Sequence, residues 1–167
     1  MATTVTAKGG TVRPWVLLSY RLPREPSTPR IAVWRKLERL GVARIGDGLV
    51  GLPDGNRTRE QLEWVAEEIT DAAGTATIWM ATPGNRAQHQ VISESMSTAR
   101  AAEYRQIIAE AKAAAGTADH LARTQRRLRT ALRSVQRRDY FPPPEREQAK
   151  TAVAVITTSS ATPAART

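Results

Sequence analysis

Seven arginines fall between positions 123 and 138: Arg123, Arg126, Arg127, Arg129, Arg133, Arg137 and Arg138. No aspartate or glutamate interrupts them. A guanidinium is a planar fork of donors that suits phosphate and carboxylate oxygens. At 3.6 residues per turn, Arg126, Arg129, Arg133 and Arg137 line one helical face next to a leucine stripe. Such a face repels itself, by a few tenths of a kcal/mol for each like-charged i,i+4 pair. An anionic cover is therefore expected. In one reading Arg123, Arg126, Arg127, Arg129, Arg133 and Arg137 contact nucleic-acid phosphates. In the other, the arginines pair with Glu103, Glu110 and other acids of the preceding helix. The phosphate reading is the expected one.

A second basic group comprises Arg21, Arg24 and Arg30, followed by Arg35, Lys36 and Arg39. Arg21, Arg24 and Arg30 surround a predicted helix start, where backbone amides favour anions. They are the candidates for holding a tetrahedral oxyanion. Tyr20 and Trp34 are interleaved with them, and aromatics beside arginines can stack bases. Trp34 lies on an apolar stripe and is expected in the core.

Other chemistry finds little support. The carboxylates gather at Glu60, Glu63, Glu67, Glu68 and Asp71, the pattern of a solvated helix face. His89 and His120 stand alone, with no metal-binding or triad spacing around them. Ser19 has no nucleophile elbow, and Gly46-Asp47-Gly48 is a turn rather than a phosphate loop. No enzyme activity, metal or cofactor is expected.

Composition frames these residues. The chain has 167 residues and a net charge of +9, from 25 Lys+Arg against 16 Asp+Glu. Arginine supplies 21 of the 25 cations, and the window from 123 to 138 alone carries +7. Strong basicity argues for a polyanionic partner, not for a fold. Zero cysteines exclude disulfides, thiolate zinc sites and cysteine nucleophiles. A 41% hydrophobic content supports a packed core. No apolar run reaches the roughly 18 residues that span a bilayer, and residues 1–10 lack a signal-peptide pattern. The expected location is the cytoplasm, without membrane association.

Local patterns set the elements that position the arginines. Residues 1–12 and 157–167 read as tails. Trp15 to Tyr20 is a strand-length apolar run. Ser27 or Thr28 offers an N-cap with Pro29 at the first helical position. Ile31, Trp34, Leu37 and Leu40 then draw a stripe that Gly41 ends. Val42–Ile45 and Leu49–Leu52 flank the Gly46-Asp47-Gly48 turn of a hairpin. Thr58 and Gln61 make a capping-box start for a helix with Leu62, Val65, Ala66 and Ile69 inside. Thr75–Met80 reads as a last strand. The order β, α, β, β, α, β predicts an α+β, ferredoxin-like module over residues 13–83. A helical extension follows over 84–156. It comprises a hairpin of two long helices, 85–115 and 119–138, broken at Gly116-Thr117, then a short helix after Pro142-Pro143-Pro144. Leu121, Leu128, Leu132 and Val135 form the inner side of the second long helix.

The segment from Trp15 through Arg21-Leu22-Pro23-Arg24-Glu25-Pro26 to Leu37 resembles the N-terminal domain of the chromate-resistance regulator family ChrB. Gly41–Val50, Arg59-Glu60-Gln61-Leu62-Glu63-Trp64 and Arg138-Asp139-Tyr140-Phe141-Pro142 extend the resemblance across residues 13–156. It implies a cytoplasmic, DNA-associated regulator of a chromate-efflux operon. In the long form of the family a second, chromate-linked domain follows. This chain ends at Thr167, so a separate C-terminal-domain partner is an expected partner, alongside DNA, a chromate oxyanion and a second copy in a homodimer. The ferredoxin-like order also resembles the central domain of PaaX-type repressors and the small CRISPR adaptation nucleases. Those nucleases carry an aspartate after the first strand, where this chain has Ser19-Tyr20-Arg21. A metal nuclease is disfavoured on that ground. The alternatives are a non-catalytic protein-interaction module and, more weakly, an enzyme acting on nucleic acid.

Overall fold

The computed structural model describes residues 12–114 and 121–159. Residues 1–11, most of the expected C-terminal tail, the Gly116-Thr117 break and His120 lie outside them. The chain divides into two compact units, Met1–Met96 and Ser97–Thr167, with the division inside one long helix.

The first unit is the α+β module. It runs β1 (Trp15–Arg21), α1 (Ser27–Leu40), β2 (Ala43–Gly46), β3 (Leu49–Pro53), α2 (Asn56–Asp71) and β4 (Thr75–Ala81). The four strands form one antiparallel sheet in the order β2-β3-β1-β4. This is the ferredoxin-like arrangement that the element order predicts.

Period-2 alternation sends Val16 and Leu18 of β1, with their partners Leu52 and Val50 of β3, to one face. All four are buried, as are Val33 and Leu37 of α1 and Leu62, Val65 and Ile69 of α2. The α2 helix packs on β1, β4 and α1.

Two helix starts differ from expectation. Helix α1 begins at Ser27 after Pro26, with no side-chain cap, so Pro29 stands in its first turn rather than at its first position. Its inward pair is Val33 and Leu37, four residues apart, and Ile31 is 48% exposed. The spacing of three picked the neighbouring flank. Helix α2 begins at Asn56, which places Thr58 inside the first turn. The buried Thr58 hydroxyl turns back to the Pro53 carbonyl at 2.7 Å, and no capping box forms.

Gly41 closes α1 in the left-handed conformation, φ 72°. The β2–β3 hairpin turns at Asp47-Gly48, with a register irregularity between Arg44 and Gly46. Gly48 has φ 66° and its carbonyl accepts from the Tyr20 amide at 2.7 Å. The hairpin tip is thereby pinned to the end of β1.

The second unit is helical. Helix α3 runs Arg86–Ala114, beginning within the first unit, where His89 meets the Trp15 ring edge-on with centroids 5.9 Å apart. Helix α4 covers Leu121–Arg137 and α5 covers Glu145–Ser159. The last helix is longer than expected and takes in residues 157–159 of the predicted tail. Tyr104, Ile107 and Ala111 of α3 share a core with Leu128, Leu132 and Val135 of α4. Ala149, Val153 and Ile156 of α5 complete it.

Candidate nucleic-acid interface

Helix α4 is held by its leucine stripe. Leu128, Leu132 and Val135 are buried, whereas Arg123, Arg126, Arg127, Arg129, Arg133 and Arg137 are all exposed. At 100° per residue the Arg126/Arg129/Arg133/Arg137 face is centred roughly 140° round the helix from the stripe. Burying the apolar side therefore forces the arginines outward.

Some of the basic charge is answered inside the unit. Arg127 pairs with Glu110 at 2.7 Å. Arg138 grips Glu103 with both terminal nitrogens, the Nη1–Oε1 distance being 3.0 Å. Arg100 joins the same carboxylate at 2.9 Å. Expected pairing of the arginines with Glu103 and Glu110 thus occurs, but through Arg127 and Arg138. Among the described residues no ion pair engages Arg123, Arg126, Arg133 or Arg137.

The end of α4 is anchored by residues that the sequence did not single out. The Tyr104 hydroxyl donates to Asp139 Oδ2 at 2.8 Å. The Asp139 side chain is wholly buried, and Arg146 Nη1 lies 3.6 Å from the same oxygen. Burial, reinforced by the bond to Asp139, pushes the Tyr104 phenol well above its ordinary pKa. Burial lowers that of Arg100, with Glu103 opposing. Tyr104 and Asp139 are 35 residues apart, a pairing without local signal. In the sequence Asp139 stands out only as part of the Arg138-Asp139-Tyr140-Phe141-Pro142 stretch.

In the first unit, Arg21 and Arg30 come together, and Arg24 does not join them. A cleft of about 570 Å³ between the end of β1 and α1 is lined by Tyr20, Arg21, Arg30, Trp34, Arg35 and Glu38, among others. Trp34 is half-buried in its wall rather than in the core, and the Arg44 guanidinium lies 4.6 Å from its ring centroid. Burial raises the Tyr20 phenol, with Arg44 opposing. The carboxylates of α2 are exposed as expected. Among the described residues no group of three or more His, Asp or Glu side chains could hold a metal ion. Nor is any described helix long and apolar enough to cross a membrane.

The family model described as "Protein ChrB, N-terminal" matches residues 30–126, more than half of the chain. The chain belongs to the ChrB N-terminal family. The match begins at Arg30 within α1, runs through β2, β3, α2, β4 and all of α3, and takes in Arg123 and Arg126 of α4. Protein ChrB of Cupriavidus metallidurans is 29% identical over 134 residues. That alignment covers 77% of this chain and 40% of the relative, so the chain spans about two fifths of the relative's length. No solved structure matches the chain.

Proposed function

We propose that this ChrB-family chain is a DNA-associated transcriptional regulator of a chromate-efflux operon. The observation that carries the reading is the outward face of α4. Arg123, Arg126, Arg133 and Arg137 are exposed there without an ion pair among the described residues. Exposed guanidiniums at successive turns suit a run of phosphates, and such contacts position a protein on DNA rather than read its sequence. Arg129 lies on the same exposed face, and Arg127, paired with Glu110, flanks it.

A chromate oxyanion would be met at Arg21 and Arg30, which share one cleft; Arg24 stands outside that lining. The family relationship supports the link to chromate resistance.

A second reading is a non-catalytic interaction module that docks a separate chain resembling the C-terminal part of ChrB. It is favoured by Arg127 and Arg138, which show that guanidiniums at this helix engage carboxylates.

A reporter fused to the operon's own promoter separates these readings. Expression of the wild-type chain alone is expected to change reporter output, with Arg126→Ala/Arg133→Ala/Arg137→Ala losing the effect. Output unchanged by the wild-type chain, but changed once a C-terminal-domain chain is supplied, would move the reading to the interaction module.

A further inference from the structure

We infer that the cleft between β1 and α1 is a binding site for a ring-bearing phosphate ester, of the nucleoside monophosphate class. The cleft measures about 570 Å³. A water occupies about 30 Å³ of liquid, so a bare tetrahedral oxyanion of a few water volumes leaves most of the space unfilled. Pockets for organic ligands run from roughly 300 to 1,000 Å³.

Arg21, Arg30 and Arg35 bring three positive charges, and Glu38 returns one. Phosphate monoesters are dianions that guanidiniums hold by paired hydrogen bonds. Tyr20 and Trp34 supply ring surfaces in the same cleft, and both are only half-buried, so neither is spent as core. Aromatic rings next to arginines are the combination that stacks a base while fixing its phosphate. Glu38 offers an acceptor for a ring amine or a sugar hydroxyl.

A further feature adds to the anion end. The first turn of α1 carries no acidic side chain, and its N-cap residue makes no side-chain hydrogen bond. Ser27 of that turn lines the cleft. Arg44, held over the Trp34 ring, steadies that wall. The Tyr20 hydroxyl, a phenol that is protonated at neutral pH, is able to donate there. Nothing in this inference depends on DNA binding by α4, which belongs to the other unit.

Titration calorimetry of the full chain tests it, with the four common nucleoside monophosphates, ribose 5-phosphate, inorganic phosphate and chromate as probes. At least one nucleotide is expected to bind with Kd below about 1 mM. Stacking makes it roughly tenfold or more tighter than ribose 5-phosphate. Arg30→Ala, on an exposed helical position, is expected to weaken that nucleotide roughly tenfold, an ion pair to phosphate being lost. Arg126→Ala leaves it unchanged and serves as the control. The inference is overturned if no nucleotide binds, or if ribose 5-phosphate binds as tightly as the best nucleotide. It also falls if Arg30→Ala leaves affinity intact. A single-stranded oligonucleotide that outcompetes the free nucleotide at lower concentration would likewise replace it with a strand-binding surface.

Discussion

Replacing Tyr104 by phenylalanine removes one oxygen from the corner that fixes the end of α4. The ring stays, so no cavity opens. What is lost is the 2.8 Å bond to Asp139, whose side chain is fully buried. Arg146 remains 3.6 Å from Oδ2, beyond hydrogen-bond distance, and Oδ1 has no hydrogen-bond partner. A hydrogen bond to a charged group contributes roughly 1.5–3 kcal/mol, so a loss of about 2 kcal/mol is expected at pH 7. With a urea m-value of about 2 kcal/mol/M, the midpoint falls by about 1 M. The pH dependence supplies a second readout. The phenol is raised in the folded chain, so its stabilising contribution is complete below the unfolded value near 10 and fades as pH rises above it. Wild type should lose about 1 kcal/mol from this group between pH 10 and 11, and the phenylalanine variant none of it. The gap between the two proteins therefore narrows in alkali. Urea melts followed by circular dichroism at pH 7, 10 and 11 check both effects. Equal midpoints at pH 7 would refute the reasoning, as would a gap that widens with pH.

Three further perturbations probe other parts of the chain. Leu128→Ala, at a side chain 1% exposed in the three-helix core, should cost about 3 kcal/mol in a denaturant melt. Gly48→Ala must adopt φ near 66° and place its Cβ against the Tyr20 carbonyl oxygen, so a loss of about 2 kcal/mol is expected, with the hairpin tip released from β1. Arg59 holds the Asp54 carboxyl below its ordinary pKa through two hydrogen bonds of 2.6 and 2.7 Å. The stability this adds is present above the unfolded carboxylate range and is lost as pH falls through the depressed value. Arg59→Ala should accordingly flatten the acid limb of a stability–pH curve between about pH 4 and 2.

The fold was legible where patterns are local. Strand β1 announces itself by its aromatic and aliphatic run, and α2 by Leu62, Val65 and Ile69 against an acidic flank. Helix starts were less legible, because Thr58 has the identity of a cap but bonds backward to Pro53 once the chain turns at Gly55. In α1 the residues at 31, 34, 37 and 40 outnumber Val33 and Leu37, and only the sheet decides which flank is covered. The arginine face of α4 could be read from spacing. Which arginines meet Glu103 and Glu110 could not, since both acids stand on another helix. The cleft was legible only in part: Arg21 and Arg30 share it, but Arg24 lies outside, and Trp34 is a wall rather than a core residue. Such groupings arise from crossover geometry, which carries no sequence-local mark.

The most direct measurement of the central claim is fluorescence anisotropy of a labelled duplex from the chain's own promoter, titrated with protein between 50 and 200 mM salt. Counterion release gives a log–log slope of about −0.9 for each phosphate neutralised. Arg123, Arg126, Arg133 and Arg137 together call for a slope of about −3.6, and Arg126→Ala/Arg133→Ala/Arg137→Ala should reduce its magnitude by about 2.7. All three positions are exposed, so the fold is expected to survive. A slope near zero, or a triple variant whose slope and affinity equal those of wild type, would contradict DNA binding by this face.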